Sequence, residues 1–211
     1  KFMCGIVGYI GHREAYPVVV QGLERLEYRG YDSAGIAVHH GSERGVEVLR
    51  SVGGVEHLDL LVSQTPGIEF GNIAIGHTRW ATHGVPAEHN AHPHKSMGGV
   101  ITLVHNGIIE NYETLKKKLI AEGYVFKSET DTEVLANWIE YKYKEIYSET
   151  EGDLRDAVRL ALEDAVGAYA ILVLDSHSEQ IVAARKSSPL VIGIGEDEYV
   201  IASDATPIIQ Y

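Results

Sequence analysis

The chain has 211 residues, 45% of them hydrophobic, enough to fill the core of one compact globule. Thirty acidic residues against eighteen basic leave a formal charge of −12, and no basic run is longer than Lys116-Lys117-Lys118, the polar face of a helix, so nucleic acid and anionic membranes are poor partners. No apolar run approaches the roughly 20 residues that span a bilayer, Lys1-Phe2-Met3 is too short for a signal peptide, and one cysteine fits a reducing, cytoplasmic setting.

In chain order the patterns predict a strand over 5–10, then an amphipathic helix with Ala15, Val18, Val19, Gly22, Leu23 and Leu26 on one stripe and Pro17 in its first turn. Strands follow over 35–39 and 46–52, a short helix over 55–63, and strands over 73–78 and 101–106. A helix over 111–122 ends at Gly123, suited to a left-handed cap. Thr130 with Glu133 reads as a capping box opening a helix through Tyr143, and a further helix covers 153–165. Strands over 169–175, 180–185, 190–194 and 199–203 complete about nine. Hairpin-like strand pairs with segregated helices favour an α+β layered sandwich over a doubly wound parallel sheet. Gly193-Ile194-Gly195 lacks the third glycine and the following helix of a phosphate loop.

Cys4 is the only cysteine and heads the first strand. It cannot form an internal disulfide, and no second thiol supports a zinc site, which leaves reactivity as its functional use; the plainer reading is a small hydrophobe at the start of a core strand. Four polar clusters lie at strand ends or in loops, where rigid scaffolds present binding groups. Residues 28–35, YRGYDSAG, otherwise read as a glycine-rich turn. In 77–84, HTRWATHG, Arg79 offers a planar fork for a carboxylate and Thr82 and His83 add donors, although Arg79 alone would be a structural ion-pair residue. Asn106-Gly107 can aim a side-chain amide and a backbone N–H at one developing oxyanion, or simply form an Asn-Gly turn. In 128–133, SETDTE, Asp131 could meet an ammonium group, but carboxylates there also serve as helix caps. His89, His92, His94 and His105 lack the i, i+4 spacing of a helical zinc pair, and no metal is expected.

Together CGIVGYIG, LEYRGYDSAG, HTRWATHG, NAHPH, HNGIIEN and SETDTE resemble, in order and spacing, the glutaminase domains of the glutamine:fructose-6-phosphate amidotransferase family, from Cys4 to the last residue. The resemblance implies a four-layer αββα sandwich of two antiparallel sheets between helical layers, the N-terminal nucleophile hydrolase type, with no cofactor. It also implies roles. Cys4 attacks the side-chain amide of L-glutamine; Asn106 and the Gly107 amide hold the oxyanion; Arg79, Thr82 and His83 bind the α-carboxylate; Asp131, with Gly107, binds the amine and amide ends. Trp80 belongs to the pocket or to the coupling with a partner domain, and Arg29 orders the nucleophile's surroundings. L-glutamate is the product, and ammonia passes to a C-terminal sugar-phosphate isomerase domain of a homodimeric full-length enzyme, which makes glucosamine 6-phosphate. Another ammonia acceptor, or a non-catalytic glutamine-binding module, are the alternatives.

In this family the α-amine of the cysteine is the base that takes the thiol proton. Residues 1–3 are therefore expected to be an extension ahead of a glutaminase domain covering 4–211, trimmed of the isomerase region. With Met3 joined to Cys4 that nitrogen is an amide with no usable lone pair, and hydrolysis is expected to be at least about a hundredfold slower.

Overall fold

The structure is a computed structural model that describes residues 4–29, 31–80, 84–149 and 153–209, the side chains of 29, 148 and 149 excepted. Ten strands and five helices are present among them. Strand β1 (Gly5–Ile10) leads into helix α1 (Ala15–Leu26), followed by β2 (Ser33–His39), β3 (Val46–Val52), α2 (Val55–Ser63) and β4 (Ile73–Arg79). Next come β5 (His94–Lys95), β6 (Ile101–Gly107), α3 (Tyr112–Ala121), α4 (Asp131–Glu149) and α5 (Leu154–Asp164), and then β7 (Tyr169–Asp175), β8 (Val182–Lys186), β9 (Val191–Gly195) and β10 (Glu198–Ala202).

The first sheet has six strands in the order β3-β2-β4-β1-β10-β9 and the second has four in the order β5-β6-β7-β8; all pairings are antiparallel. Alternation along the strands explains why they stack. On β1, Val7 and Tyr9 pack with Val19 and Leu23 of α1, whereas Ile6 joins Val104, Leu172 and Ile201 between the sheets. On β6, Leu103 faces the α3–α5 layer with Leu135 and Ile139, and Val104 faces the other sheet. Each sheet is thus apolar on both faces, and only a helix–sheet–sheet–helix order buries both.

The same period-two rule positions polar groups. Residues 4, 6 and 8 share the inter-sheet side of β1, residues 73, 75, 77 and 79 that of β4, and 104 and 106 that of β6. Cys4, His77, Arg79 and Asn106 therefore meet at one end of the layer between the sheets.

The predicted capping box of α4 forms only by half. The Glu133 N–H donates to Thr130 Oγ1 at 3.3 Å, but the Glu133 carboxylate accepts from the N–H groups of Lys127 and Ser128 at 2.7–3.1 Å, and Thr130 N–H turns to Ser128 Oγ. The Glu side chain reaches past the cap because three donors lie there. After α3, Gly123 takes φ +93°, and Tyr124 N–H closes on Leu119 O at 3.0 Å, the expected left-handed ending. Strand β5 had no sequence signal, because two residues carry no periodicity.

Gly35 of β2 lies hard against the segment that leads into β5, where a Cβ would lie 1.8 Å from His92 O. Backbone cannot yield as a flexible side-chain tip can. Gly35→Ala is expected to lower unfolding free energy by at least about 3 kcal/mol in denaturant titration; a loss below about 1 kcal/mol would show that this approach is not tight.

Candidate active site

Cys4 Sγ lies in a backbone clamp: it accepts from Trp80 N–H at 3.1 Å and donates to Trp80 O at 3.4 Å. The adjoining strand is pinned by Ile6 N–H to Ser203 Oγ and Ser203 N–H to Ile6 O, both 3.0 Å. Burial pushes the Cys4 thiol above its ordinary pKa; the Trp80 N–H and the Arg79 guanidinium pull it back, and Asp32 adds to the rise. The thiol therefore stays protonated at neutral pH and needs a base to react.

Asn106 reaches across from the second sheet. Its Nδ2 donates to Cys4 O at 2.9 Å, and its Oδ1 lies 3.0 Å from His77 Nε2. Because a carbonyl can only accept, the atom facing Cys4 O must be the amide nitrogen. One Nδ2 hydrogen remains for another acceptor. Gly107, next on β6, has φ +111°, and a Cβ there would fall 2.1 Å from Ala168 O, so only glycine fits. Ile108 N–H, donating to Ala168 O at 3.1 Å, makes the rung beyond the Gly107–Tyr169 pair. Antiparallel rungs alternate, so the Gly107 N–H is turned away from β7.

Arg79, at the end of β4, is almost fully buried. Its guanidinium donates to Gly84 O and Val85 O at 3.3 Å each and lies 3.8 Å from Asp32 Oδ1. Buried Asn90 donates to Val85 O and to Glu129 Oε2 and accepts from Glu129 N–H, all at 3.0 Å, which ties this loop to the segment before α4. Asp131, first in α4 and buried, accepts the Ile109 N–H at 2.8 Å and lies 4.0 Å from His105 Nδ1. Its carboxylate thus anchors the turn that leaves Gly107. Trp80 is 38% exposed and borders Cys4 through its backbone.

Cys4, Arg79, Trp80, Asn106 and Gly107 are thereby assembled at one end of the inter-sheet layer, with Asp131 just behind Gly107. Thr82 and His83 lie outside the described residues, as does the side chain of Arg29. The sequence reading missed Asp32 as the countercharge of Arg79, Asn90 as the loop's tie, and His77 as the partner of Asn106. Asp32 and His77 stand inside segments already singled out, and Asn90 opens NAHPH, but their roles depend on partners far along the chain.

His77, His92, His94 and His105 form a buried group beside the site. His77 and His92 stack at 4.0 Å with rings 10° apart, and His92 and His94 meet edge-on at 4.9 Å. His105 Nδ1 lies 3.0 Å from Thr132 Oγ1, His94 Nε2 lies 3.0 Å from Thr130 Oγ1, and His105 N–H donates to His92 Nδ1 at 3.3 Å. Burial lowers the pKa of His77 to about 3 and takes His92 and His94 well below the ordinary value, with neighbouring imidazoles and the Arg50 and Arg79 cations acting in the same direction. Among the described residues, no three His, Cys, Asp or Glu side chains are arranged to hold a metal ion.

Two stacked antiparallel sheets between helices, with a cysteine heading an inner strand and an Asn-Gly pair beside it, define an amidotransferase of the N-terminal nucleophile hydrolase fold. Two solved structures share it: the glutamine phosphoribosylpyrophosphate amidotransferase of B. subtilis, at 31% identity and TM-score 0.77, and a structure described as the allosteric regulatory enzyme of purine biosynthesis, at 31% and 0.78. In each case 97% of this chain aligns with 42% of the other. The family model described as "Glutamine amidotransferase domain" matches residues 77–210, and the chain belongs to that family. Relatives named glutamine--fructose-6-phosphate aminotransferase [isomerizing] are 57% identical in Bacteroides thetaiotaomicron and 52% identical in Chlorobaculum tepidum. Both matches take in 99% of this chain, which spans a third of either relative's length.

The buried histidines make stability pH-dependent. His77, His92 and His94 are neutral in the fold but titrate near pKa 6.5 once unfolded, so below that value the unfolded chain binds more protons. Their stabilisation is complete above about pH 6.5 and is lost as pH falls toward about 3. Denaturant unfolding at about pH 7.5 and about pH 5 should show a marked loss, with an uptake approaching three protons at the lower value from His77, His92 and His94. Equal stability at both would contradict their burial as neutral rings.

Proposed function

We propose that this domain hydrolyses L-glutamine to L-glutamate and ammonia within a longer protein whose remaining part is a sugar-phosphate isomerase that accepts the ammonia on fructose 6-phosphate, giving glucosamine 6-phosphate for hexosamine synthesis. The observation that carries the hydrolysis is the contact of Asn106 Nδ2 with Cys4 O at 2.9 Å, which brings an amide donor to the residue bearing the sole thiol. Relatives of that name at 52–57% identity, against 31% for the purine-pathway neighbours, support this choice of acceptor.

Once Cys4 heads the chain, its α-amine, with a pKa near 7.7 to 8.0, takes the thiol proton. Sγ attacks the side-chain amide carbon, Cδ, of glutamine and the carbonyl π pair moves onto oxygen. That oxyanion receives the remaining Nδ2 hydrogen of Asn106 and the N–H of Gly107, donors fixed before charge develops. The C–N bond breaks, the amine's proton passes to the leaving nitrogen, and ammonia departs. Water then attacks the γ-glutamyl thioester, the oxyanion forms again on the same donors, and glutamate leaves as the thiol regains its proton. Arg79, with Thr82 and His83, holds the α-carboxylate, Asp131 holds the α-amine, Trp80 lines the pocket and Arg29 supports it. The raised thiol pKa fits a cysteine that depends on an adjacent base rather than one poised as thiolate.

The test compares protein starting at Cys4 with protein retaining Met3, each verified by intact mass, by glutamate and ammonia release. The first should hydrolyse glutamine and lose that activity in Cys4→Ala; the second should be at least about a hundredfold slower. Equal rates would overturn the α-amine as base and turn attention to His83. Release by the alanine variant would overturn Cys4 as nucleophile.

A further inference from the structure

His77 is neither at the surface nor in position to meet a substrate. It lies on β4 with its ring fully buried, stacked face to face on His92 at 4.0 Å. Its Nε2 lies 3.0 Å from two oxygens, Asn106 Oδ1 and His105 O. A backbone carbonyl cannot donate, and Asn106 presents its oxygen on this side because its nitrogen is committed to Cys4 O. Both neighbours of Nε2 are acceptors, so Nε2 must carry the hydrogen. The other nitrogen, Nδ1, is buried and has no hydrogen-bond partner among the described residues. A ring kept in one tautomer at the expense of an unsatisfied nitrogen is costly, since a buried polar atom without a partner has given up its hydrogen bond to water for nothing. Among the described residues, what the ring gains from that tautomer is the bond at Nε2.

We infer that His77 is a positioning residue for glutamine hydrolysis: its Nε2–H fixes the Asn106 side chain so that the Nδ2 hydrogens point to Cys4 O and to the oxyanion of the reacting glutamine. The inference rests on the proposed reading of Asn106 as oxyanion donor. Held at one end only, by Cys4 O, the Asn106 amide could turn about its last torsion and carry its free hydrogen out of line. Held at both ends it cannot. His105 O shares the same N–H and belongs to the residue before Asn106, so the imidazole grips backbone and side chain of the donor together. His92, stacked on the ring, keeps its plane toward β6.

The assay uses protein starting at Cys4 and separates a positioning role from a merely structural one. His77→Gln places an amide N–H near the former Nε2, whereas His77→Asn places one near Nδ1. The Gln variant should keep turnover within a few-fold of the parent. The Asn variant should lose kcat by about tenfold to a hundredfold, short of the loss from removing an oxyanion donor itself, with KM for glutamine and glutamate affinity unchanged. In an Asn106→Ala background the difference between the two should vanish, because nothing is left to position. Should the Asn variant fail to fold, His77→Met, which has no donor, takes its place in the same cycle. Equal losses for Gln and Asn, a loss carried by KM, or a loss that persists in Asn106→Ala would each overturn the positioning role alone. No hydrolysis by the unsubstituted protein would instead overturn the functional reading on which it rests.

Discussion

The site depends on one side-chain amide held at both ends. Asn106 belongs to the second sheet, yet its nitrogen bonds to the carbonyl of Cys4 and its oxygen to the imidazole of His77, both in the first. The two sheets are also joined by an apolar layer of Ile6, Ile75, Val104, Leu172 and Ile201, which is non-directional and would tolerate small sliding, and at the far end of β2 by His39 Nε2, 2.9 Å from Asp175 O. Hydrogen bonds at 2.9 and 3.0 Å do not. At the thiol's end of the layer the register between the sheets, and with it the distance from the thiol to the donors beside it, is held at that amide.

Around it the fold places charge and backbone so that little reorganisation is left for the reaction. Arg79 is held by two carbonyls and faced by Asp32 at 3.8 Å, so its guanidinium is kept in place. Asn90 bonds both Val85 and Glu129, two residues before Asp131, and so ties the backbone that holds Arg79 to the segment before α4. Gly107 takes a conformation open to no other residue and turns its N–H out of the ladder. His77, His92 and His94 fill the space behind these groups as neutral rings, which supplies polar contacts without net charge near the thiol.

Much of the scaffold was legible in the sequence because periodicity is local. The bounds of Gly5–Ile10, Val46–Val52, Val55–Ser63 and Tyr169–Asp175 agree with the pattern, and Cys4, Arg79 and Asn106-Gly107 stand at strand ends, where the sequence placed its chemistry. The failures share a cause. His94–Lys95 is too short for a period, the Glu133 carboxylate found better donors upstream than its helix cap, and His77 looked like one more polar residue beside Arg79. Histidine spacing was weighed only for local zinc geometry, whereas these rings are brought together by pairs such as 77 with 106, 92 with 105 and 105 with 132. Contacts of that range leave no imprint on a window of neighbouring residues.

The central claim, that a neutral His77 donates from Nε2 to the Asn106 oxygen, is open to direct observation by nitrogen-15 NMR of the imidazole rings. The account predicts that His77 shows a protonated Nε2 and a bare Nδ1 at neutral pH, and that this tautomer persists on acidification as long as the fold does, since burial lowers its pKa to about 3. A proton on Nδ1, or a His77 ring that becomes cationic near the ordinary value of about 6.5 in folded protein, would contradict it.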